Sequence, residues 1–273
     1  MSEKDKYEKY NSRRYVKVNL NKLILSEWDF YNRVIIFIAP RKCGKSHLIK
    51  YMMSTLYFSK GYVFASHPGN VYSYAKFIPS CLIIPDKFNK LKLRNKIHKQ
   101  KIKSEKFRAG WEIIRKYCER NKKEDYLLYD EVIEKITKDG DCRNLDKKEF
   151  KYYKDFYTFA CNIKTNYITK YGNDKFLKSE YRFLNLIFQD PKIFIIFDDC
   201  MGARDFNLRT CEVLADIFTQ GRHIYITAIL TLQNYTGLPP TARENAEFIF
   251  FMGGSRFALS VYKEIASSFF NNS

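Results

Sequence analysis

A short stretch in the first part of the chain carries the residue types that bind phosphate. It reads Ala39-Pro40-Arg41-Lys42-Cys43-Gly44-Lys45-Ser46, and it lies between an apolar run and a helix-forming sequence. In that context the pattern GxxxxGK[ST] holds phosphates with its backbone N–H groups and a helix N-terminus. Lys45 would neutralise phosphate charge, and the Ser46 hydroxyl would bind Mg²⁺. The sequence therefore predicts a nucleotide loop made of Ala39, Pro40, Arg41, Lys42, Cys43, Gly44, Lys45 and Ser46.

The first position of this loop departs from the pattern, because Ala39 stands where glycine is usual. Alanine accepts extended backbone but not a positive φ. We expect the loop to work if residue 39 keeps an ordinary conformation.

Two carboxylates at the end of a later apolar run could complete a metal site. Residues 193–199 read Ile-Phe-Ile-Ile-Phe-Asp-Asp. In open α/β sheets, ligands bind at the carboxyl ends of the strands. Asp198 is the expected Mg²⁺ partner, directly or through water. Asp199 could orient the attacking water as a general base.

A third group of candidates surrounds the next strand. Gln233 follows its tip and could hydrogen-bond both the γ-phosphate and the water. Arg222 precedes the strand and Arg243 follows it, and either could reach the phosphates of a neighbouring subunit. A surface ion pair is the alternative for each arginine.

The elements that must position these residues follow from the apolar patterning. Continuous apolar runs with no alternation predict strands buried on both faces of a parallel sheet. The predicted strands are Val34–Ile38, Tyr62–Ala65, Ile193–Phe197, Ile224–Leu230 and Phe248–Met252, and the predicted helices are Lys45–Phe58 and 207–220. Strands that alternate with helices predict an α/β fold with a mainly parallel central sheet.

The composition suggests a polyanionic partner. Lys and Arg number 48 against 30 acidic residues, which gives a formal charge of +18 and favours nucleic acid. An AT-rich genome would explain lysine over arginine but not basic over acidic residues. Seven scattered cysteines without a CxxC pair favour neither disulfides nor zinc, and indicate a reducing compartment.

The basic excess is concentrated in one segment. Residues 86–123 hold 15 Lys and Arg against four acids, whereas residues 124–190 hold 12 basic and 13 acidic residues. We interpret 86–190 as a mostly helical basic insertion between two parts of the core, 33–85 and 191–273, with 1–32 as a basic N-terminal arm and extended lead-in. A solvated helix face is the alternative reading of the charge run.

No apolar run reaches the length of a membrane-spanning helix, and the N-terminus lacks a secretory signal pattern. We therefore expect a protein that resides inside a cell and is not integral to a membrane.

Taken together, these motifs resemble a known family. Four stretches are similar, in their order along the chain, to motifs of the FtsK/HerA superfamily of P-loop ATPases. They are APRKCGKS, IFIIFDDC, GRHIYITAILTLQN and LPPTARENAEFIFFM. The closest likeness is to the genome-packaging ATPases of poxviruses and other large or medium DNA viruses. The resemblance covers roughly 33–70 and 191–256 and implies a RecA-like fold, with roles for Asp198, Asp199, Gln233, Arg222 and Arg243. Asp199 stands where the wider class usually has Glu.

The resemblance implies ATP and Mg²⁺ as cofactors and a ring, usually a hexamer, that moves double-stranded DNA. The expected function is ATP-driven packaging of a viral genome into a preformed capsid. The expected partners are capsid or portal components, in the host cytoplasm or virus factory or on the virion. Two alternatives stay open: a DNA-pumping ATPase of plasmid transfer or partition, and a P-loop small-molecule or nucleotide kinase.

Overall fold

The structure is a computed structural model, and it describes most of the chain from Phe30 to Gly253. The described residues are 30–56, 58, 60–65, 73–78, 83–84, 88–120, 126–142, 145–179, 182, 184–187, 189–200, 206–233, 238–253 and 263. The predicted arm up to residue 29 and the loop 66–70 after the second strand lie outside this range.

Strands and helices alternate along the chain. The strands are β1 Val34–Ile38, β2 Lys60–Ala65, β3 Ile83–Ile84, β4 Ile193–Asp198, β5 Ile226–Leu232 and β6 Phe248–Phe251. The helices are α1 Lys45–Thr55, α2 Lys90–Arg120, α3 Tyr126–Asp139, α4 Lys147–Tyr171, α5 Asn173–Lys178, α6 Leu184–Ile187, α7 Glu212–Gln220 and α8 Pro240–Glu244.

The strands form a parallel sheet, which confirms the predicted α/β class. Their order among the described residues is β3-β2-β4-β5-β1-β6, and each pair is parallel. Every residue of β1, β4 and β5 is buried, as expected for strands covered on both faces. Because the strands are parallel, all their carboxyl ends lie at one edge, and β5 separates β1 from β4.

The two faces of the sheet have separate cores. On one face, Ile36 and Ile38 of β1 pack in a cluster with α7 and the start of α2. On the other, Ile35 and Phe37 pack with α1 and with Tyr74. Alternate residues of the same strand therefore contact helices on opposite faces of the sheet. The loop of residues 39–46 predicted to bind nucleotide, called the phosphate-type loop below, leads directly into α1.

Several predicted strand boundaries are wrong by one or two residues: β2 begins at Lys60, β4 ends at Asp198, β5 ends at Leu232 and β6 ends at Phe251. Three further boundaries are wrong for local reasons. Helix α1 ends at Thr55 instead of Phe58, because Leu56 is extended. Helix α7 begins at Glu212 instead of 207, because the Asn207 side chain accepts from the Arg209 N–H and forms a turn. Strand β5 begins at Ile226 instead of Ile224, because a 3₁₀ turn over Gly221–Ile224 precedes Tyr225, whose φ is 60°.

Helices α2 to α6, between β3 and β4, have a core of their own. It includes Phe107, Trp111, Val132 and Phe156 together with Tyr225 from the sheet side. Gln100 of α2 donates to the carbonyls of Pro191 (2.8 Å) and Ile224 (2.7 Å), just before β4 and β5. The helical segment is thus attached to the sheet at the edge where the strands begin.

A buried ion pair reinforces this attachment. Lys192, which is 1% exposed, contacts Asp141 from the end of α3 and lies 3.6 Å from Asp190. A buried lysine needs such carboxylates, since an unpaired charge is costly away from water.

In the described part of the chain, no helix combines the length and the apolar character needed to cross a bilayer.

The packing of β2 against β4 predicts an effect of a very small substitution. A Cβ at Gly61 would lie 1.8 Å from Cζ of Phe194. We expect Gly61→Ala to lower the free energy of unfolding by about 1–3 kcal/mol, as overpacking does. Urea unfolding measures it. In a Phe194→Leu background the same substitution should cost much less, and an equal cost in both backgrounds would contradict this packing.

Candidate phosphate and metal site

The loop between β1 and α1 has the backbone of a phosphate cradle. Lys42 and Gly44 have φ values of 62° and 83°, so the chain turns sharply before α1 begins at Lys45. Alternating backbone handedness of this kind turns successive N–H groups toward one side, where an anion can bind. Glycine at position 44 has the freedom that this φ requires.

Ala39 fits the loop despite replacing glycine. It is buried, its N–H donates to the Leu232 carbonyl at 3.0 Å, and it is not among the described residues with positive φ. The condition set by the sequence, an ordinary conformation at position 39, is therefore met. The same hydrogen bond holds the start of the loop against the end of β5.

Lys45 lies folded over the loop. Its Nζ donates to the carbonyls of Ala39 (2.6 Å) and Pro40 (2.9 Å). Burial lowers the pKa of the Lys45 ammonium, and the charges of Asp199, Cys43 and Asp198 oppose that shift. The ammonium is thus held at the mouth of the loop, where a phosphate would lie.

Asp198 is almost completely enclosed by the protein. It is 1% exposed, and it accepts hydrogen bonds from Ser46 Oγ (3.1 and 3.3 Å), Tyr74 Oη (3.1 Å) and Thr231 Oγ1 (3.1 Å). A buried carboxylate is tolerated only with such donors. Four elements, α1, β4, β5 and the segment 73–78, therefore meet at one side chain.

Asp199 points elsewhere. Its φ is 54°, a left-handed conformation that Asp tolerates better than most residues. Its N–H donates to Thr231 Oγ1 (2.8 Å), and its Oδ1 accepts from Gln233 Nε2 (2.9 Å). The backbone reversal after β4 separates the two carboxylates, so that Asp198 faces Ser46 and Asp199 faces Gln233.

Ser46 and Asp198 together fit a magnesium ion. The ion prefers oxygen ligands and usually combines one or two protein groups with phosphates and water. A serine hydroxyl and a carboxylate 3.1 Å apart beside a phosphate-type loop are such a pair. Within the described residues no group of three His, Cys, Asp or Glu side chains converges on a metal position.

Tyr74 and Thr231 belong to the site although the sequence did not single them out. Thr231 could have been found, since it lies two residues before Gln233 in a strand and shares its face. Tyr74 gave no such signal, because it lies far from every motif in the sequence. Burial raises the pKa of the Tyr74 hydroxyl well above its ordinary value, and the charge and hydrogen bond of Asp198 raise it further.

The two arginines lie on other elements than the loop and strand ends that form this site. Arg222 is in the 3₁₀ turn before β5, at the edge of the sheet opposite Gln233. The seven residues of β5 span about 23 Å at 3.3 Å per residue. Arg243 lies in α8, on the crossover from β5 to β6. The structure thus brings together Lys45, Ser46, Asp198, Asp199 and Gln233, but not Arg222.

The chain is similar in part to proteins of two viruses. It is 33% identical over 109 residues to uncharacterized protein B354L from several isolates of African swine fever virus, a match that covers 40% of the chain and 30% of the relative. It is 35% identical over 63 residues to uncharacterized protein L437 of Acanthamoeba polyphaga mimivirus, covering 23% of the chain and 22% of the relative. No protein-family model and no solved structure matches the chain.

The burial of Tyr74 predicts a distinct pH dependence of stability. The native state keeps the hydroxyl protonated, whereas in the unfolded chain it ionises near pH 10, so its contribution is lost as pH rises above about 10. Tyr74→Phe should lower the free energy of unfolding by about 1–3 kcal/mol at neutral pH. As the pH rises from 9 to 11, the free energy of unfolding of Tyr74→Phe should fall by about 1 kcal/mol less than that of the unmodified protein.

Urea unfolding at several pH values makes this comparison. The control is Tyr171→Phe, which removes a tyrosine that is 44% exposed and should follow the unmodified protein. Parallel pH curves for Tyr74→Phe and the control would contradict the buried hydrogen bond to Asp198.

Proposed function

We propose that the chain is a P-loop ATPase that moves double-stranded DNA, and that it packages a viral genome into a preformed capsid. The observation that carries the hydrolytic part is the convergence of Ser46 and Asp198. These side chains lie far apart in the sequence, yet they make a hydrogen bond at the edge of the sheet where phosphate would bind.

The order of the strands supports a RecA-like arrangement. Because β5 lies between β1 and β4, its tip is flanked by the phosphate-type loop on one side and the two acids on the other. Gln233 can therefore contact the same region as Lys45 and Asp199. This position suits a residue that senses whether a γ-phosphate is present.

Each side chain has a defined task in this proposal. Backbone N–H groups of Arg41 to Ser46 and the Lys45 ammonium bind and neutralise the β- and γ-phosphates. Ser46 and Asp198 hold Mg²⁺, which supplies charge neutralisation at the transferring phosphoryl group. Asp199 takes a proton from the attacking water, and Gln233 orients both Asp199 and that water.

The paired Asp199 and Gln233 favour hydrolysis over transfer to an acceptor. A kinase needs an acceptor pocket and must exclude water, whereas a carboxylate held by an amide at the site mouth is suited to orienting water. The nucleotide kinase is therefore the weaker alternative. A pump of plasmid transfer or partition shares the same chemistry and differs in its partners.

The DNA part of the proposal depends on charge and on the relatives. The chain carries +18, and α2 has seven Lys and Arg but no acid between Lys90 and Ser104. The relatives B354L and L437 are viral proteins. From the charge and the viral relatives we infer that the protein acts on DNA within an infected cell. The ring and the capsid or portal partners are carried over from the family resemblance.

The structure shows which of four lysines in the basic part of α2 are exposed to solvent. Lys96 lies 3.8 Å from the ring centre of Tyr62, and Lys103 donates to the Asp190 carbonyl at 2.7 Å. Lys99 and Lys101 are exposed. Of these four lysines, Lys99 and Lys101 are therefore better placed for phosphate contacts.

ATP turnover measured with and without long duplex DNA tests the proposal. Lys45→Ala and Asp198→Ala should abolish turnover, because they remove phosphate neutralisation and metal placement. Asp199→Asn should bind ATP and lose hydrolysis by about a hundredfold or more, since an amide accepts no proton. DNA should stimulate the unmodified protein.

Lys175→Ala, on exposed α5, is the control and should behave as the unmodified chain. If Lys45→Ala still hydrolysed ATP at the unmodified rate, hydrolysis would not take place at this site, and the P-loop ATPase proposal would be refuted. Phosphate transfer to a small acceptor in place of hydrolysis would identify a kinase.

The arginines make a separate prediction about assembly. Arg222 lies at the opposite edge of its own sheet, so it can act only on the nucleotide of another subunit. If Arg222 or Arg243 acts in that way, its alanine variant should bind ATP without hydrolysing it. Mixing that variant with Lys45→Ala subunits should then restore part of the turnover. Mixed rings without any restored turnover would exclude catalysis in trans.

A further inference from the structure

A groove lies beside the phosphate site, on the face of the sheet that α1 covers. It has a volume of about 540 Å³ and runs between α1 and the segment 73–77. His47, Lys50 and Tyr51 line it from α1, and Lys76 and Phe77 line it from the other side. Its α1 wall extends from His47 to Ser54, about 10 Å of helix, away from the phosphate-type loop.

Among the residues that the structure describes, basic side chains line the groove and no acidic one does. The chain has no Asp or Glu anywhere between Asp29 and Asp86, so neither wall can gain one from its own neighbours in sequence. Surface lysines are usually interspersed with acids. A stretch that omits them, on both walls of a groove, favours a polyanionic ligand.

A second cleft, at the edge of the sheet where the strands begin, contains acidic as well as basic residues. It has a volume of about 520 Å³ and is lined by Arg33, Arg108, Lys138 and Arg222, but Glu134 and Asp139 line it as well. Arg33 also lies 3.8 Å from Glu247. Positive charge there is partly neutralised by the protein itself, so that cleft is a weaker candidate for binding a polyanion.

We propose that the groove between α1 and residues 73–77 binds the sugar–phosphate backbone of double-stranded DNA. This assignment rests on the proposed function, because it identifies the surface through which that function would engage its DNA. Lysine ammonium groups make point-charge contacts with phosphates and carry no base readout. The α1 wall spans about three base-pair steps of 3.4 Å along the axis of a duplex.

The groove is connected to the metal carboxylate by two contacts. Lys50 Nζ lies 5.1 Å from the ring centre of Tyr74, and the Tyr74 hydroxyl donates to Asp198. A phosphate paired with the Lys50 ammonium would therefore change the charge beside Tyr74, the residue that positions Asp198. We expect DNA in the groove to influence ATP turnover through this contact.

The test is a pair of variants with the same change in net charge. Lys50→Gln/Lys76→Gln removes two charges from the groove, and Lys151→Gln/Lys154→Gln removes two from the exposed face of α4. Binding of each protein to a labelled duplex of about 40 base pairs is measured by anisotropy without ATP, across a range of salt concentrations.

The groove variant should bind at least about tenfold more weakly at 0.1 M salt, with a log–log salt slope shallower by about two units. The α4 variant should stay within about twofold of the unmodified protein. Lys76→Gln alone, at an exposed position, should lose part of the affinity and guards against misfolding of the double variant. Its melting temperature should match that of the unmodified chain.

Two results would overturn the assignment, and a third would separate it from the ATPase proposal. Equal DNA affinity of the groove and α4 variants would refute the groove. Weaker ATP binding with unchanged DNA affinity would show that the groove holds part of the nucleotide instead. If the unmodified protein binds DNA through the groove but never hydrolyses ATP, the groove stands and the ATPase proposal fails.

Discussion

The need to satisfy one buried carboxylate organises the carboxyl edge of the sheet. Asp198 has almost no exposure to water, so its oxygens must accept hydrogen bonds from the protein. The donors are Ser46, Tyr74 and Thr231, and each comes from a different element. The first turn of α1, the tip of β5 and the segment after β2 are thereby held in one relative arrangement. The candidate site gains its rigidity from this set of bonds.

The position of β5 explains why a second carboxylate is available. Thr231 uses its hydroxyl twice, accepting from the Asp199 N–H and donating to Asp198. Gln233, two residues further along the same face, donates to Asp199. One strand tip therefore aims the two acids in different directions, one toward the serine that follows the loop and one toward the amide. Adjacent carboxylates in a shared orientation would repel each other.

The helical segment and the candidate site lie at opposite edges of the sheet. Gln100, Lys192 and Tyr225 attach helices α2 to α6 where the strands begin, whereas the phosphate-type loop lies where they end. Helix α2 connects the two regions, since Leu93 near its start packs in the core formed with β4 and β5. Basic residues of α2 therefore extend along a face of the sheet, and the groove beside α1 offers positive charge on the other face.

The sequence by itself determined the parallel sheet, the loop from Ala39 to Ser46 and the candidacy of Asp198, Asp199 and Gln233. These features are local, because continuous apolar runs specify buried strands and the loop chemistry is contained in adjacent residues. Only the tertiary structure decided that Tyr74 joins the site, through its hydrogen bond to Asp198. It also decided the start of β5, since Tyr225 adopts a left-handed conformation while packing in the helical core. Contacts between residues far apart in the chain depend on strand order and side-chain packing, and no local pattern records them.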